Sequence, residues 1–426
     1  MCKKKREEEY FGENYHYIWS DNWHIEGNQA WFMAGWLDLL FQFDFHTKET
    51  TLVDWISSQK ECKFRQHPRC IKRGNVILCL PDEGTDIWFY HLSDQTWTYV
   101  SVENPDSLRL GCYQAWCVNR QVFIVSTGLK QMIELDLEKE EITGYYDFPV
   151  KGQSQISESI QIGSSIYTVV SSPVRICRFD WEDKSIKLYE VPEIQDFIRT
   201  FCFDGHRFWM TGTTKNINIW EEETGNVTCL NDFPPDFGVW NFKGNRENLL
   251  NPVEKSENGP LFLFSLSAGK FIWLIPFQTN EILYIDRDTF QVKKFPVKGE
   301  EQTENDINNQ LLQHKYLLEY VRENRYIGLF SLKNKWIFEI DSVNLTYEIM
   351  NYKFQMESRV HELIIKDIMR KKNIIYEQEA ADLSDWMKGL EREGGKKNTE
   401  KKEKSIGKQT YHKVIIVRGE KEYAGS

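Results

Sequence analysis

The chain has 426 residues, of which 41% are hydrophobic and 14% aromatic. This apolar content excludes a largely disordered chain, and the low Gly and Pro counts, 25 and 12, exclude a collagen-like fibre. The 64 acidic residues outnumber the 53 basic ones, and the resulting net charge of −11 argues against a nucleic-acid-binding protein.

The N-terminal segment, residues 1–13, is predicted to be a charged tail. It runs from Lys3-Lys4-Lys5-Arg6 into Glu7-Glu8-Glu9 and lacks the apolar stretch that a secretory signal needs. No later stretch has 18 consecutive apolar residues, so no membrane span is predicted. Nine cysteines without a CxxC pair are typical of reduced core thiols. We therefore expect a soluble, cytoplasmic protein.

Residues 14–355 contain an internal repeat. Each copy starts with a short strand, a turn and an apolar strand, and continues with an alternating strand, a polar turn and a fourth strand. The last residue of the third strand is commonly Asp, and the seven copies place at this point Asp44, His91, Asp136, Asp180, Trp220, Asp286 and Asp341. The unit is roughly 45 residues long, with longer connections late in the chain.

This repeat predicts the fold. A single sheet of four short strands cannot cover both of its faces, whereas sheets arranged radially cover one another and leave only short edges. The sequence therefore predicts an all-β, seven-bladed β-propeller of four-stranded antiparallel blades. Six or eight blades are the alternatives, because a closing blade can combine strands from both ends of the chain. Strand tryptophans such as Trp31, Trp209 and Trp273 are predicted to pack between blades.

Two long connections interrupt the late repeats. Residues 231–259 carry aromatic residues beside Pro and Gly, and we expect them to form a folded lid over one face, with a flexible loop as the alternative. Residues 298–313 are acidic and rich in amides, which fits either a short helix or a solvated loop.

The pattern changes after residue 355. Residues 356–391 carry apolar side chains at helical spacing and predict a small α-helical extension. Residues 392–410 are rich in Lys and Glu and predict a disordered charged linker. Residues 411–426 include Val414-Ile415-Ile416-Val417, a strand-like segment that either docks on an exposed blade edge or engages another protein.

The repeats also resemble a known family. The third copy carries Arg109-Leu110-Gly111, Val118-Asn119-Arg120 and Leu135-Asp136-Leu137, and the second carries Tyr90-His91-Leu92 followed by Trp97. In these segments the chain resembles the kelch-like β-propellers, over roughly residues 15–352. The glycine pair that typically ends the second kelch strand is reduced here to Ala34-Gly35, Thr127-Gly128 and Thr211-Gly212.

A propeller of this kind usually meets its ligands at one end of the central channel. That end is built by the loops between second and third strands and by the connections between blades. The sequence places there charged residues and two tryptophans whose flat faces suit binding. The candidate ligand-binding residues are Trp36, Asp38, Asp86, Lys130, Arg175, Lys215 and Trp240.

Signatures of catalysis are absent from the sequence. It contains no HExxH, GxSxG, Walker loop or GxGxxG motif, so we predict no catalytic residue and no cofactor. His16, His24 and His46 lie near Asp44, but strand spacing does not place them on one face, and no metal site is predicted.

These patterns favour a non-enzymatic binding or scaffold propeller, with a protein as the expected partner. The first alternative is a carbohydrate-binding or glycan-processing propeller of a bacterial surface-polysaccharide pathway, because the Lys, Ile and Asn usage is typical of AT-rich bacteria. The second alternative is a propeller lyase or hydrolase that uses a His and carboxylate pair at the channel mouth.

Overall fold

The computed structural model describes residues 20, 22–34, 38–56, 66–104, 108–150, 155–171, 173–235, 237–238, 260–277, 279, 281–300, 315–331, 333–334, 336–350 and 353–355. The chain divides into two units. The unit formed by Asn14–Asp54 and Arg65–Gln355 contains the sheets. The other unit, Met1–Glu13, Trp55–Phe64 and Met356–Ser426, contributes only Trp55 and Ile56 to the described residues.

The described residues form 29 strands in seven sheets. Blade 1 contains β1 (His24–Glu26), β2 (Gln29–Ala34), β3 (Leu39–Asp44) and β4 (Glu49–Trp55). Blade 2 contains β5 (Arg69–Arg73), β6 (Val76–Leu80), β7 (Asp86–His91) and β8 (Thr96–Ser101). Blade 3 contains β9 (Cys112–Val118), β10 (Gln121–Ser126), β11 (Gln131–Asp136) and β12 (Glu141–Asp147). Blade 4 contains β13 (Gln155–Ile162), β14 (Ser165–Ser171), β15 (Arg175–Asp180) and β16 (Ile186–Glu190).

The later blades follow the same order. Blade 5 contains β17 (Thr200–Phe203), β18 (Phe208–Thr211), β19 (Ile217–Trp220) and β20 (Val227–Leu230). Blade 6 contains β21 (Phe262–Ala268), β22 (Phe271–Pro276), β23 (Ile282–Asp286) and β24 (Val292–Phe295). Blade 7 contains β25 (Tyr316–Arg322), β26 (Tyr326–Ser331), β27 (Ile337–Asp341) and β28 (Thr346–Met350). The last strand, β29 (Lys353–Gln355), belongs to blade 1.

Within each blade the four consecutive strands pair antiparallel in chain order. The first strands are innermost, because they contact the first strands of neighbouring blades. The second and third strands are the most apolar and the most buried, and all residues of β14 and β22 are buried. The fourth strands are outermost, and most residues of β8 are exposed. The seven blades predicted from the repeat are therefore confirmed.

Blade 1 closes the ring against blade 7. The Trp23 backbone N–H donates to the Glu319 carbonyl at 2.6 Å, and the Trp23 ring lies 5.3 Å from that of Tyr320 and stacks on Phe32 at 4.7 Å. Blade 1 also gains a fifth strand, because β29 pairs in parallel with β4, with Lys353 opposite Glu49. The four antiparallel strands of every blade come from one contiguous stretch, and β29, which follows blade 7, adds a fifth strand to blade 1.

The core lies between neighbouring blades. One such cluster joins Leu78 and Phe89 of blade 2 to Val122 and Ile124 of blade 3. Trp31, Trp209 and Trp273 are buried, as the sequence predicted. The seven described cysteines are free thiols, and five of them are buried; Cys2 and Cys62 lie outside the described residues.

The ring has two ends that differ in their connections. We call the end with the β1–β2-type and β3–β4-type hairpin turns the turn end. We call the end with the loops between second and third strands, and with the connections between blades, the loop end. At the turn end the repeated Asp caps the β3–β4-type turn: Asp44 Oδ1 accepts from the backbone N–H of His46 at 2.8 Å and of Thr47 at 2.9 Å. Asp136, Asp286 and Asp341 make the same pair of bonds.

Several predicted segments fall outside the described residues. They are the charged tail before residue 14, most of the connection 231–259, residues 301–313, the helical extension, the charged linker and the strand-like segment 411–426. Of the predicted lid, Phe233 and Phe237 are described, and their rings stack at 4.7 Å, with Phe237 5.9 Å from Phe262 of blade 6. Within the described ranges no helix is long and apolar enough to cross a bilayer.

Candidate binding site at the loop end and in the channel

Carboxylates hold the loop end together. Asp82, in the loop between β6 and β7, is fully buried and accepts from Arg109 Nε at 2.5 Å and from Nη2 at 2.8 Å. The Tyr113 hydroxyl donates to the same carboxylate at 2.9 Å. Asp82 belongs to blade 2, whereas Arg109 and Tyr113 lie at the entry of blade 3. These hydrogen bonds therefore join the two blades. Burial acts to lower the pKa of Arg109, but the bond to Asp82 and the charges of Tyr113, Asp82 and Glu83 together outweigh it and raise that pKa.

A buried carboxylate also joins blades 1 and 2. Asp38, at the entry of β3, is buried, and its Oδ1 accepts from the backbone N–H of His67 at 3.1 Å. The His67 ring lies between two acceptors, with Nδ1 3.3 Å from Asp38 Oδ1 and Nε2 2.9 Å from the Asp86 carbonyl oxygen. Both ring nitrogens therefore face oxygen atoms of the protein, and the ring is buried.

A third carboxylate fixes a loop within blade 5. Asp196 Oδ1 accepts from the Thr213 backbone N–H at 3.0 Å and from its hydroxyl at 2.7 Å. Asp196 Oδ2 accepts from the Thr214 backbone N–H at 3.1 Å and from its hydroxyl at 2.5 Å. Both oxygens of this side chain are thus engaged in holding the loop before β19.

The structure brings most of the predicted candidates to the loop end. Lys130, Arg175 and Lys215 lie at or just before the third strands of blades 3, 4 and 5, and all three are partly exposed. Arg175 Nε lies 3.0 Å from Glu190 Oε2. Asp86 is the first residue of β7, and its carbonyl accepts from His67. Trp36 and Trp240 lie outside the described residues.

The central channel contains a cavity of about 480 Å³. The first strands of blades 2–7 and the residues entering β1 line it. A neighbouring cavity of about 380 Å³ lies beside blades 2, 3 and 4 and shares several lining residues with it. The polar side chains that line this cavity include Asn22, Arg69, Gln114, Glu158 and Glu319. Sequence reasoning did not single out any of these five.

Bulges in the first strands explain how acids reach the channel wall. One extra residue shifts the register of β9 near Tyr113, of β13 between Ile156 and Ser159, of β21 near Leu263 and of β25 near Glu319. A bulge bends its strand and redirects a side chain, and bulges often lie beside functional sites. Two of the four bulges contain the glutamates of the channel wall, Glu158 and Glu319.

The electrostatic setting of Glu158 is unusual. Gln114 Nε2 donates to Glu158 Oε2 at 2.7 Å. Burial raises the pKa of the Glu158 carboxyl above its ordinary value, while the positive charges of Arg199 and Arg69 and the bond from Gln114 act in the opposite direction. Glu319, across the channel, accepts from the Ser20 hydroxyl at 2.6 Å. The channel wall therefore carries both signs of charge.

Comparison with known proteins shows no family for this chain. No family model matches the sequence, and no curated protein matches it. Among solved structures, the chain is similar to BamB from Moraxella catarrhalis, with a TM-score of 0.45 and 12% identity over 72% of this chain and 80% of that chain. The kelch-like resemblance of the sequence stays a prediction. The described residues establish that the chain folds as a seven-bladed β-propeller.

Proposed function

We propose that this chain is a non-catalytic binding propeller that recognises a protein partner with its loop end. The observation that carries the proposal is the use of Asp38, Asp82 and Asp196 at that end. Each carboxylate is engaged in fixing a loop or joining two blades. Loops that are fixed before binding lose less conformational freedom on association, so a face of this kind suits recognition.

The charge on this face indicates the kind of partner. Lys130, Arg175 and Lys215 lie at or within two residues of the start of the third strand in three consecutive blades and form an arc of cations, in which Arg175 also pairs with Glu190. Complementary charge increases the rate of association and selects the partner. The arc favours a partner that presents an acidic segment, although the chain as a whole is acidic.

The only His and carboxylate pair found at the loop end within the described residues supports a structural role. A general base needs a ring nitrogen that can reach a substrate. The His67 ring is buried, and its two nitrogens face Asp38 and the Asp86 carbonyl oxygen. His67 also does not line the channel cavity. The pair therefore gives no support to the lyase or hydrolase hypothesis.

Charge reversal at the two ends tests the proposal. The loop-end variant carries Lys130→Glu, Arg175→Glu and Lys215→Glu in the full chain. The matched variant carries Lys48→Glu, Lys139→Glu and Lys270→Glu, three cations of the turn end that change the net charge by the same amount. Partners are captured by crosslinking and affinity purification, identified by mass spectrometry, and their Kd values are measured with purified proteins.

We expect the loop-end variant to weaken the partner's binding by at least about tenfold, and the turn-end variant to bind as the original protein does. Equal binding by both variants, or a loss that is the same for both, contradicts recognition at the loop end. Unchanged thermal unfolding of the two variants shows that the comparison reports on binding.

A further inference from the structure

Three side chains in the channel wall have hydrogen-bonding groups that no described residue uses. Gln114 Nε2 donates one of its two hydrogens to Glu158 Oε2 at 2.7 Å. The other amide hydrogen and the amide oxygen of Gln114, and the Glu158 Oε1 atom, take part in no hydrogen bond with the described residues. Asn22 Nδ2 lies 3.5 Å from the Cys70 carbonyl oxygen, whereas the buried Asn22 Oδ1 atom has no partner among those residues. The wall therefore contains three unused acceptor oxygens and one unused N–H donor.

These three side chains line one space. Asn22 precedes β1, whereas Gln114 lies on β9 and Glu158 on β13. All three line the cavity of about 480 Å³, and Asn22 and Gln114 also line the neighbouring cavity of about 380 Å³. Residues from blades 1, 3 and 4 thus bring unused polar groups to the same cavity.

The cavity also supplies apolar surface and enough room for a small molecule. Pockets for small molecules typically measure about 300–1,000 Å³ and combine apolar walls with a few placed polar groups. Trp23, Phe201 and Phe203 line this cavity beside the polar groups. Aromatic rings have flat apolar faces, on which the C–H groups of a ring-shaped ligand can pack.

The charges of the wall favour a neutral ligand. Arg69 lines the same cavity, and its positive charge acts on Glu158. The Glu158 carboxylate is therefore already opposed by a cation of the wall. An anionic ligand would meet the carboxylates of Glu158 and Glu319, and a cationic ligand would meet the guanidinium of Arg69. A neutral ligand avoids both repulsions.

We infer that the channel binds a neutral polyhydroxy compound of the size of a monosaccharide. Its hydroxyl groups donate to Glu158 Oε1 and to the Asn22 amide oxygen, and they accept from the second amide hydrogen of Gln114. A hydroxyl group both donates and accepts, which suits a wall that combines several acceptors with a donor. This site is separate from the proposed partner face and does not depend on it.

Titration of the full-length chain with defined sugars tests the inference. The panel contains glucose, galactose, mannose, xylose, N-acetylglucosamine and myo-inositol, each tested by thermal shift and by calorimetry. We expect at least one of these compounds to bind with a Kd of about 2 mM or lower, which a ligand of this size reaches at an ordinary binding energy per atom. Binding by none of them overturns the inference.

Charged derivatives test whether the site selects a neutral ligand. Each compound that binds is compared with its carboxylate derivative and with its amino derivative. We expect both derivatives to bind at least about fivefold more weakly, because each meets a like charge of the wall. Equal or tighter binding of either derivative contradicts the inference.

Matched variants assign the bound compound to the channel. Gln131 is a glutamine of blade 3 in a similar setting, because its Nε2 donates to Asp147 Oδ1 at 2.6 Å, but it lines neither cavity. Gln114→Met, which keeps the volume of the side chain, and Asn22→Ala should each weaken binding by about tenfold, whereas Gln131→Met should leave the Kd unchanged. Unfolding temperatures without the sugar show that each variant is folded. Unchanged binding by Gln114→Met and Asn22→Ala, or an equal loss in Gln131→Met, overturns the inference.

Discussion

The two ends of the ring use the same residue type in different ways. At the turn end, Asp44, Asp136, Asp286 and Asp341 occupy one position of the repeat and cap the same hairpin turn with the same pair of backbone bonds. At the loop end, Asp38, Asp82 and Asp196 bind three different sets of partners: a buried histidine, an arginine with a tyrosine, and two threonines.

This difference distinguishes contacts that recur in several blades from contacts that form at only one connection. The turn between the third and fourth strands involves only neighbouring residues, so the same Asp cap recurs in several blades. The connections between blades vary in length and chemistry, so each is fixed in its own way. The binding face that we propose lies at this variable end.

The largest expected effect compares a carboxylate from each end. Asp82→Ala leaves Arg109 beside a buried void and should lower the free energy of unfolding by about 3 kcal/mol. Asp44→Ala removes two bonds at an exposed turn and should lower it by about 1 kcal/mol. Urea denaturation monitored by Trp fluorescence measures both. The double variant Asp82→Ala/Arg109→Ala should cost less than the two single changes together, because the partners act as a pair.

Equal losses of unfolding free energy in Asp82→Ala and Asp44→Ala would contradict the difference between the two ends. Additive losses in the double variant would show that Asp82 acts without Arg109.

Two glycines, Gly128 at the loop end and Gly74 at the turn end, extend the comparison of the two ends to the backbone. At the loop end, a Cβ on Gly128 would lie 1.6 Å from the Arg109 carbonyl oxygen, which is backbone and cannot rotate away. We expect Gly128→Ala to lower the free energy of unfolding by about 3 kcal/mol. At the turn end, Gly74 has a φ of +58° but open space around it, so Gly74→Ala should cost only about 1 kcal/mol of backbone strain. Denaturation midpoints of the two variants measure the difference, and a larger loss for Gly74→Ala would contradict the close approach.

The smallest effect is a contrast in pH dependence between the channel and the turn end. The folded-state pKa of Glu158 is raised by burial, so its contribution to stability is present below the unfolded pKa and is lost as pH rises through the folded value. Glu158→Gln should therefore match the original protein in acid and exceed its unfolding temperature at neutral pH. The bond from Arg325 lowers the pKa of Asp341, so its contribution is present at neutral pH and is lost as pH falls through the lowered folded value.

Asp341→Asn should accordingly lower the unfolding temperature at neutral pH and approach the original protein in strong acid. Calorimetric scans across the pH range compare the two variants. The same sign of change at neutral pH for both variants would contradict the opposite environments of the two carboxyl groups.

The turn end was predictable because its chemistry is local. Asp341 bonds to backbone N–H groups two and three residues later, so a one-dimensional pattern contains the whole interaction. The same pattern gave the number of blades. The pattern also predicted that Trp209 is buried, because the alternation of side chains along a strand determines which of them face the neighbouring blade.

The channel was not predictable in this way. Glu158 and Gln114 are 44 residues apart and meet only when two blades stand side by side. The bulge between Ile156 and Ser159 adds one residue to β13 and shifts its alternation, so counting by twos misplaces the side chains after it. An acidic residue among apolar neighbours in β25 is a signal in the sequence that could have indicated Glu319, whereas β13 also contains Gln and Ser residues, so Glu158 does not stand out in it.

The parallel pairing of β29 with β4 has a consequence for biosynthesis. A nascent chain can complete the four antiparallel strands of blade 1 early, but the outer edge of β4 stays open until residue 355 has left the ribosome. An open edge is a site where strands of other molecules can pair. Among the seven described sheets, blade 1 is therefore the one whose fourth strand gains a partner, and premature termination anywhere in the later blades leaves Glu49–Thr51 without that cover.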